Sequence, residues 1–172
     1  MGDGAVETRE FRESDLEIVV DLSLRAWAPV FASVREVMGD DIFLRLHPDW
    51  RAGQAEAVRS SCLDPERDSF VGVVDGRVVG FVVVALNAFH ERMGVIDIIG
   101  VDPDYQRRGV SSRLTELATE HMRSHGMDIA VVETGGDPGH APARRTYAGA
   151  GMHHVEVARY FKRLQPGSGV DP

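Results

Sequence analysis

One junction near the middle of the chain constrains the fold more than any other feature. An apolar run ends in Ile98-Ile99-Gly100-Val101, and Gln106-Arg107-Arg108-Gly109-Val110-Ser111 follows after a short turn, leading into a helical pattern. The first N–H groups of a helix have no intrahelical partners and carry partial positive charge, so a turn at this point favours an anion. The junction therefore predicts a strand, a phosphate-binding turn and a helix.

The residue types of the turn strengthen this interpretation. Arg107 and Arg108 oppose the dipole of the following helix unless an anion lies beside them, and Gly109 permits a phosphate to approach closely. The order of strand, Gln/Arg-x-x-Gly-x-Gly/Ala and helix resembles the coenzyme signature of the GCN5-related N-acetyltransferases (GNAT). Ser111 stands at the last small-residue position of that signature.

A second block downstream is similar to another motif of the same family, Asn-x-x-Ala-x-x-x-Tyr-x-x-x-Gly-Phe. The matching residues here are Ala143, Tyr147 and Gly151. His140 replaces the asparagine, and Met152 replaces the phenylalanine. Two partly degenerate motifs in the right order are harder to obtain by chance than either alone, so the chain is identified as a member of the GNAT superfamily.

The resemblance implies a fold class, a co-substrate and a set of site residues. The fold is an α/β fold of α+β type, with a mixed, mostly antiparallel central sheet, helices on both faces and two splayed central parallel strands. The co-substrate is acetyl-coenzyme A. The residues expected to bind it are Ile99, Gly100, Val101, Gln106, Arg107, Arg108, Gly109, Val110, Ser111, His140, Ala143 and Tyr147.

Catalysis in such a layout requires a proton donor for the departing thiolate and a base for the acceptor amine. The family places the phenol of Tyr147 beside the coenzyme sulfur. Most amines are protonated at neutral pH, so a carboxylate is a natural base. Asp97 is the first candidate because simple alternation along the strand gives it the same face as Ile99 and Val101, and Glu133 is the second. Backbone N–H groups near Ile99 and Gly100 would stabilise an oxyanion, with a bulge suspected at Gly100.

Hydrophobic periodicity and turn residues predict the remaining elements. Asp75-Gly76 predicts a tight hairpin, and a capping box at Ser14–Glu17 predicts the start of the first helix. His47-Pro48-Asp49 separates two shorter helices that follow. The other expected elements are a strand at 6–11, a strand at 95–101, a helix at 106–125 ending at Gly126, a strand at 127–134, a short helix carrying Tyr147 and a final strand at 152–164.

Composition limits the class of partner. The chain has 172 residues, 43% of them hydrophobic, which predicts one domain over 1–164 followed by a flexible tail at 165–172. A formal net charge of -8 argues against a nucleic-acid ligand. The sequence shows neither a stretch of the roughly 20 apolar residues that a membrane span needs nor a signal peptide, so we expect no membrane partner and a cytoplasmic location. A homodimer is compatible with the family.

Three functional hypotheses follow. The first is an N-acetyltransferase that moves an acetyl group directly from acetyl-coenzyme A to a primary amine within a ternary complex. The second is a non-catalytic domain that binds acyl-coenzyme A as a sensor or interaction module. The third, acetylation of a peptide or protein amine, differs only in the acceptor groove. His121 and His125 have ligand spacing on one helix face, but no third ligand is evident, so we predict no metal.

Overall fold

The computed structural model describes residues 5–164. Three helices follow the first strand, an antiparallel meander of three strands comes next, and a helix, a strand and a last helix complete the order. In chain order the strands and helices are β1 (Glu7–Glu10), α1 (Leu16–Met38), α2 (Asp40–Leu46), α3 (Trp50–Leu63), β2 (Arg67–Val74), β3 (Arg77–Ala85), β4 (Met93–Val101), α4 (Val110–Ser124), β5 (Ile129–Val132) and α5 (Ala141–Gly149). No helix in this range is long and apolar enough to cross a bilayer. The tail predicted for 165–172 lies outside the described residues.

The five strands form one sheet in sequential order, β1-β2-β3-β4-β5. The first three pairings are antiparallel, and β4 with β5 is parallel. The hairpin between β2 and β3 turns at Asp75 (φ 49°) and Gly76 (φ 75°), because a two-residue turn of this hand needs positive φ at both positions. The predicted fold class, a mixed and mostly antiparallel sheet between helical layers, is confirmed.

Two apolar clusters hold helices against opposite faces of the sheet. On one face, Val110, Leu114 and Met122 of α4 pack against Val82 and Ile96. On the other face, Val19 and Leu22 of α1 and Val58 of α3 pack against Phe81 and Val83. Burial of these side chains contributes roughly 25 cal/mol for each Å² of apolar surface removed from water, and it fixes the two helical layers relative to the strands.

Several element boundaries differ from the predictions. The helix predicted from Gln106 begins at Val110, because Arg107 and Gly109 both have positive φ and cannot belong to a right-handed helix. The first helix continues through Met38 and ends at Gly39, and the expected box at Ser14–Glu17 does not open it. Instead Asp15 accepts a hydrogen bond of 2.9 Å from the Arg12 N–H.

The final strand predicted at 152–164 is wrong. Residues 152–164 have no strand pairing, and the side chains of Val155, Val157 and Tyr160 are 71%, 84% and 91% exposed. The strand predicted at 127–134 is reduced to the four residues of β5. A strand pattern is a local property, whereas a strand also needs a neighbour, and the sheet supplies none along this segment.

Candidate active site

A gap opens in the sheet where its two parallel strands part. Pairing between β4 and β5 runs only from Met93 opposite Ile129 to Ile96 opposite Val132. Beyond Ile96 the strand β4 continues to Val101 beside β3 alone. Backbone groups on the β5 side of 97–101 are therefore left for another partner, and the predicted splay of the parallel strands is confirmed.

The phosphate turn lies at the end of this open stretch. Gly109 adopts φ 80° at the start of α4, and the first intrahelical bond runs from the Arg113 N–H to its carbonyl, at 2.9 Å. Within the described residues no side chain caps this start, so the N–H groups of the first turn remain oriented outward. Arg107 and Arg108 are exposed beside them. Backbone donors and guanidinium groups together make a site suited to a pyrophosphate.

Two further contacts shape the turn. The Gln106 amide donates a hydrogen bond of 3.3 Å to the Val101 carbonyl, which links the turn back to the end of β4. The Arg108 guanidinium lies 5.1 Å from the centre of the Tyr105 ring. Arg107 has φ 60°, a left-handed conformation that costs a residue with a side chain about 1–2 kcal/mol. Strain of this kind tends to be kept at functional sites.

Helix α5 is tied to the phosphate turn by a pair of hydroxyl groups. The Ser111 hydroxyl donates to the Thr146 hydroxyl at 2.8 Å, across from α4 to α5. The neighbouring Tyr147 is 9% exposed but belongs to neither apolar cluster of the sheet. Burial raises the pKa of Tyr147 to about 12, so its phenol stays protonated at neutral pH and can donate a proton.

The floor of the gap on the α1 face is aromatic. A side chain at Gly100 would lie 2.7 Å from the Trp27 ring and 2.8 Å from the Phe81 ring, so only glycine lets Trp27 cover this part of β4. The bulge suspected at Gly100 lies elsewhere, because Gly100 pairs regularly with Phe81. The irregularity is at Asp97, since Val83 pairs with Ile98 while Val84 pairs with Ile96.

That bulge moves Asp97 to the other face of the sheet. Ile99 and Val101 pack with the α4 cluster, whereas Asp97 accepts a hydrogen bond of 3.0 Å from Ser61 on α3. The expected shared face with Ile99 and Val101 is therefore wrong. Asp97 is also ion-paired with Arg67, whose Nε lies 3.1 Å from Asp64. Glu133 is exposed just past the end of β5.

A cluster of hydrogen-bonded side chains joins the loop that follows β5 to α1, and the sequence did not indicate it. The Ser33 hydroxyl donates to Asp137 Oδ2 at 2.7 Å and accepts from the Gly139 N–H at 2.9 Å. Asp137 Oδ1 is hydrogen-bonded to His140 Nδ1. Arg144 supports the loop by donating to the Asp137 carbonyl at 2.9 Å. Ser33 and Asp137 are 104 positions apart, so no local pattern indicates the contact.

An aromatic cluster lies where α1, α2 and α3 meet. Phe31 stacks on Trp50 with ring centres 4.6 Å apart and meets the edges of Phe43 and His47. The Arg51 guanidinium lies 4.6 Å from the centre of the Trp50 ring.

Cys62 and the histidines of α4 have structural surroundings of their own. Cys62 is buried, and burial raises the pKa of its thiol to about 11, so the thiol is protonated at neutral pH. Among residues 5–164, no three histidine, cysteine or acidic side chains are grouped closely enough to hold a metal ion. His121 is instead hydrogen-bonded to Asp68 at 2.7 Å.

Comparison with known protein families shows which family the chain belongs to. A family model described as the Acetyltransferase (GNAT) family matches residues 32–152. The chain belongs to the GNAT family. It is similar to a mycothiol acetyltransferase of Saccharomonospora viridis, with 32% identity over 123 residues that cover 63% of this chain and 40% of the relative. A mycothiol acetyltransferase of Stackebrandtia nassauensis is 26% identical, covering 88% and 51% of the two chains. The chain thus spans about half or less of these relatives.

Solved GNAT structures share the fold at low identity. The aminoglycoside acetyltransferase AAC(6')-Iy, in complex with a bisubstrate analogue containing coenzyme A, superposes with a TM-score of 0.61 at 17% identity, covering 94% of this chain and 99% of that one. The ribosomal-protein-S18-alanine N-acetyltransferase of Escherichia coli gives 0.62 at 18% identity, covering 88% and 80%. The GNAT architecture inferred from the two motifs is confirmed.

Proposed function

We propose that this GNAT domain transfers an acetyl group from acetyl-coenzyme A to a primary amine by direct attack within a ternary complex. The observation that carries the proposal is the open stretch of β4, which leads from the splayed gap to the exposed N–H groups of the phosphate turn. A linear ligand with a pyrophosphate at one end and a reactive group at the other fits this track.

The phosphate turn and the open stretch of β4 bind different parts of the coenzyme. Gln106–Ser111 bind the pyrophosphate through backbone N–H groups and the arginine side chains. Ile99 and Val101 bind the pantetheine arm through their backbones, since a carbonyl has two lone pairs and Val101 still has one beside its bond from Gln106. Ala143 of α5 borders the arm, and a backbone N–H near Ile99, on the side of β4 that has no partner strand, stabilises the oxyanion.

Tyr147 is the general acid that protonates the leaving thiolate. A neutral amine attacks the thioester carbonyl, and the carbon–sulfur bond breaks as the carbonyl reforms. The Tyr147 phenol gives its proton to the departing sulfur and recovers one from the nitrogen that has become an amide. Because burial raises the pKa of Tyr147 to about 12, the phenol is in the donor form at every pH that the reaction needs.

Asp97 and Glu133 remain the carboxylate candidates for the base that first deprotonates the amine. Asp97 is ion-paired with Arg67 and accepts a hydrogen bond from Ser61, so its carboxylate already has two partners outside the gap. Glu133 is exposed at the mouth of the gap. Substituting each by the amide, with the pH dependence of kcat/KM as readout, separates the two.

The acceptor is an amine of a small molecule or a peptide, and the candidates to test come from the names of the similar proteins: mycothiol, an aminoglycoside and an alanine of ribosomal protein S18. Its wall would be the aromatic cluster of Phe31, Phe43, His47 and Trp50. The reaction needs a compartment that holds acetyl-coenzyme A, which supports the cytoplasm. A homodimer stays a prediction.

The deciding experiment measures free thiol released from acetyl-coenzyme A with a panel of these three amine classes. Calorimetric binding of coenzyme A is measured in parallel. We expect amine-dependent thiol release that falls roughly 10²-fold or more in Tyr147→Phe while coenzyme affinity is kept. Tight coenzyme binding without turnover on any amine of the panel would overturn the proposal in favour of a sensor.

A further inference from the structure

The cluster of Ser33, Asp137 and His140 lies at the exit of β5, on the rim of the gap. Asp137 follows β5 in the loop that closes onto α5, and the His140 ring passes directly over Gly135. A side chain at Gly135 would lie 2.5 Å from His140 Nδ1, so glycine is needed for the ring to sit there. The imidazole is thereby held against the backbone that leads out of β5.

The charge on Asp137 settles which nitrogen of His140 carries the proton. Burial raises the pKa of Asp137, but hydrogen bonds from Ser33 and His140 more than offset this and hold it below its ordinary range. An ionised carboxylate can only accept hydrogen bonds, so Nδ1 of His140 must be the donor. The lone pair of the neutral ring is then on Nε2, which makes no hydrogen bond within the described part of the chain.

We propose that His140 is the general base that takes the proton from the acceptor amine, with Asp137 and Ser33 as its positioning residues. This inference rests on the proposed acetyl transfer. The proton of the ammonium group passes to Nε2, the freed amine lone pair attacks the thioester carbon, and the imidazolium later releases the proton to solvent. Asp137 stabilises the imidazolium, as a carboxylate partner does for a histidine base.

Other charged groups around the ring do not compete for this role. Asp137 faces it from its own loop, Ser33 faces it from α1 and is neutral, and Arg144 of α5 donates to the backbone carbonyls of Gly135 and Asp137 rather than to the carboxylate. Asp97, in contrast, is already paired with Arg67. His140 therefore combines a fixed tautomer with an uncommitted acceptor atom.

The test compares pH profiles of kcat/KM for wild type, His140→Gln and Asp137→Asn, with coenzyme A affinity measured on each. We expect His140→Gln to lower kcat/KM by roughly 10²–10⁴ and to abolish the acidic limb of the profile, with coenzyme affinity unchanged within about twofold. Asp137→Asn should move the acidic limb to lower pH, because the imidazolium loses its counter-charge. His125→Gln, on the exposed end of α4, is the matched control and should leave the profile unchanged.

The outcomes separate the two levels of the proposal. An active wild type whose acidic limb survives in His140→Gln overturns the role of His140 and leaves acetyl transfer standing. Loss of coenzyme affinity in parallel with activity also overturns it, because His140 would then be a coenzyme contact. If wild type transfers acetyl to no amine of the panel, the proposed function fails and the base fails with it.

Discussion

The guanidinium of Arg25 on α1 binds the carboxylate of Asp102 through two hydrogen bonds of 2.9 Å each. Asp102 is 6% exposed and also accepts a bond of 3.0 Å from the Asp104 N–H, while its own N–H donates to the Val79 carbonyl at 2.8 Å. The residue directly follows β4 and precedes the phosphate turn. The pair therefore fixes the point at which the chain leaves the open strand and enters the turn.

Replacing Asp102 by asparagine should lower the free energy of unfolding by about 1–3 kcal/mol, because the charge is lost and one of the two oxygens that accept from Arg25 becomes an NH2 donor. Arg25 is partly exposed, which keeps the effect below that of a fully buried pair. Urea denaturation measures the change. Asp21→Asn is the control: Asp21 also bonds Arg25 but is 71% exposed, so its loss should cost less than about 0.5 kcal/mol. Equal effects of the two variants would contradict the anchoring role.

The contribution of Asp102 to the free energy of unfolding should decrease at low pH. Burial raises the pKa of Asp102, but bonds from Arg25 and the Asp104 N–H more than compensate and leave it lowered. The stabilisation is thus fully present above the unfolded pKa of about 3.9 and is lost as pH falls through the lower folded value. The difference in stability between wild type and Asp102→Asn should shrink below pH 4. A difference that grew on acidification would show that the sign is wrong.

Tyr147→Phe should lower kcat by roughly 10²-fold or more while the KM for acetyl-coenzyme A changes little, because a general acid acts on the transition state. Because burial raises the pKa of Tyr147 to about 12, ionisation of the phenol should cause no loss of activity near its ordinary pKa of about 10. Tyr160→Phe is the matched control, since that side chain is 91% exposed. An alkaline limb near pH 10 that disappears in Tyr147→Phe would contradict the burial of the phenol.

Arg107 allows backbone strain to be separated from charge. Arg107→Gly removes both the charge and the cost of φ 60°, whereas Arg107→Ala removes only the charge. Thermal unfolding should show the glycine variant more stable than the alanine variant by about 1 kcal/mol. Both should weaken coenzyme A binding to the same extent in calorimetry. Equal stability of the two variants would mean that position 107 does not hold a left-handed conformation.

The features predicted correctly from the sequence are those encoded by neighbouring residues. Asp75-Gly76 predicts a hairpin because few residue types accept positive φ. Gly126 follows α4 with φ 78° for the same reason. Pro48 separates α2 from α3 because it disfavours helix in the residue before it. The turn between β4 and α4 is indicated in the same way, by a glycine between a strand and a helix, and its binding of a phosphate stays a prediction.

The features that were missed or wrong depend on partners distant in the chain. The face of Asp97 depends on a bulge, which exists only in the register between β3 and β4. The contact of Ser33 with Asp137 joins two elements that no motif connects. The apolar alternation at 152–164 predicts a strand, but the structure gives this segment no neighbouring strand to pair with.

The hydroxyl pair of Ser111 and Thr146 should couple the phosphate turn to the catalytic phenol. Ser111→Ala and Thr146→Val each remove the 2.8 Å bond between α4 and α5, and each should cost about 1 kcal/mol of unfolding free energy. Alanine is a residue that the coenzyme signature allows at 111, so coenzyme affinity should survive there. Since Tyr147 follows Thr146, kcat should fall several-fold in both variants.

A double-mutant cycle distinguishes this coupling from two independent losses. If the bond transmits position from the turn to Tyr147, the double variant should be no slower than the worse single variant, because the second substitution removes nothing further. The coupling free energy should then be about 0.5–1.5 kcal/mol in both stability and log kcat. Additive effects on kcat would mean that Tyr147 is positioned by the packing of α5 alone.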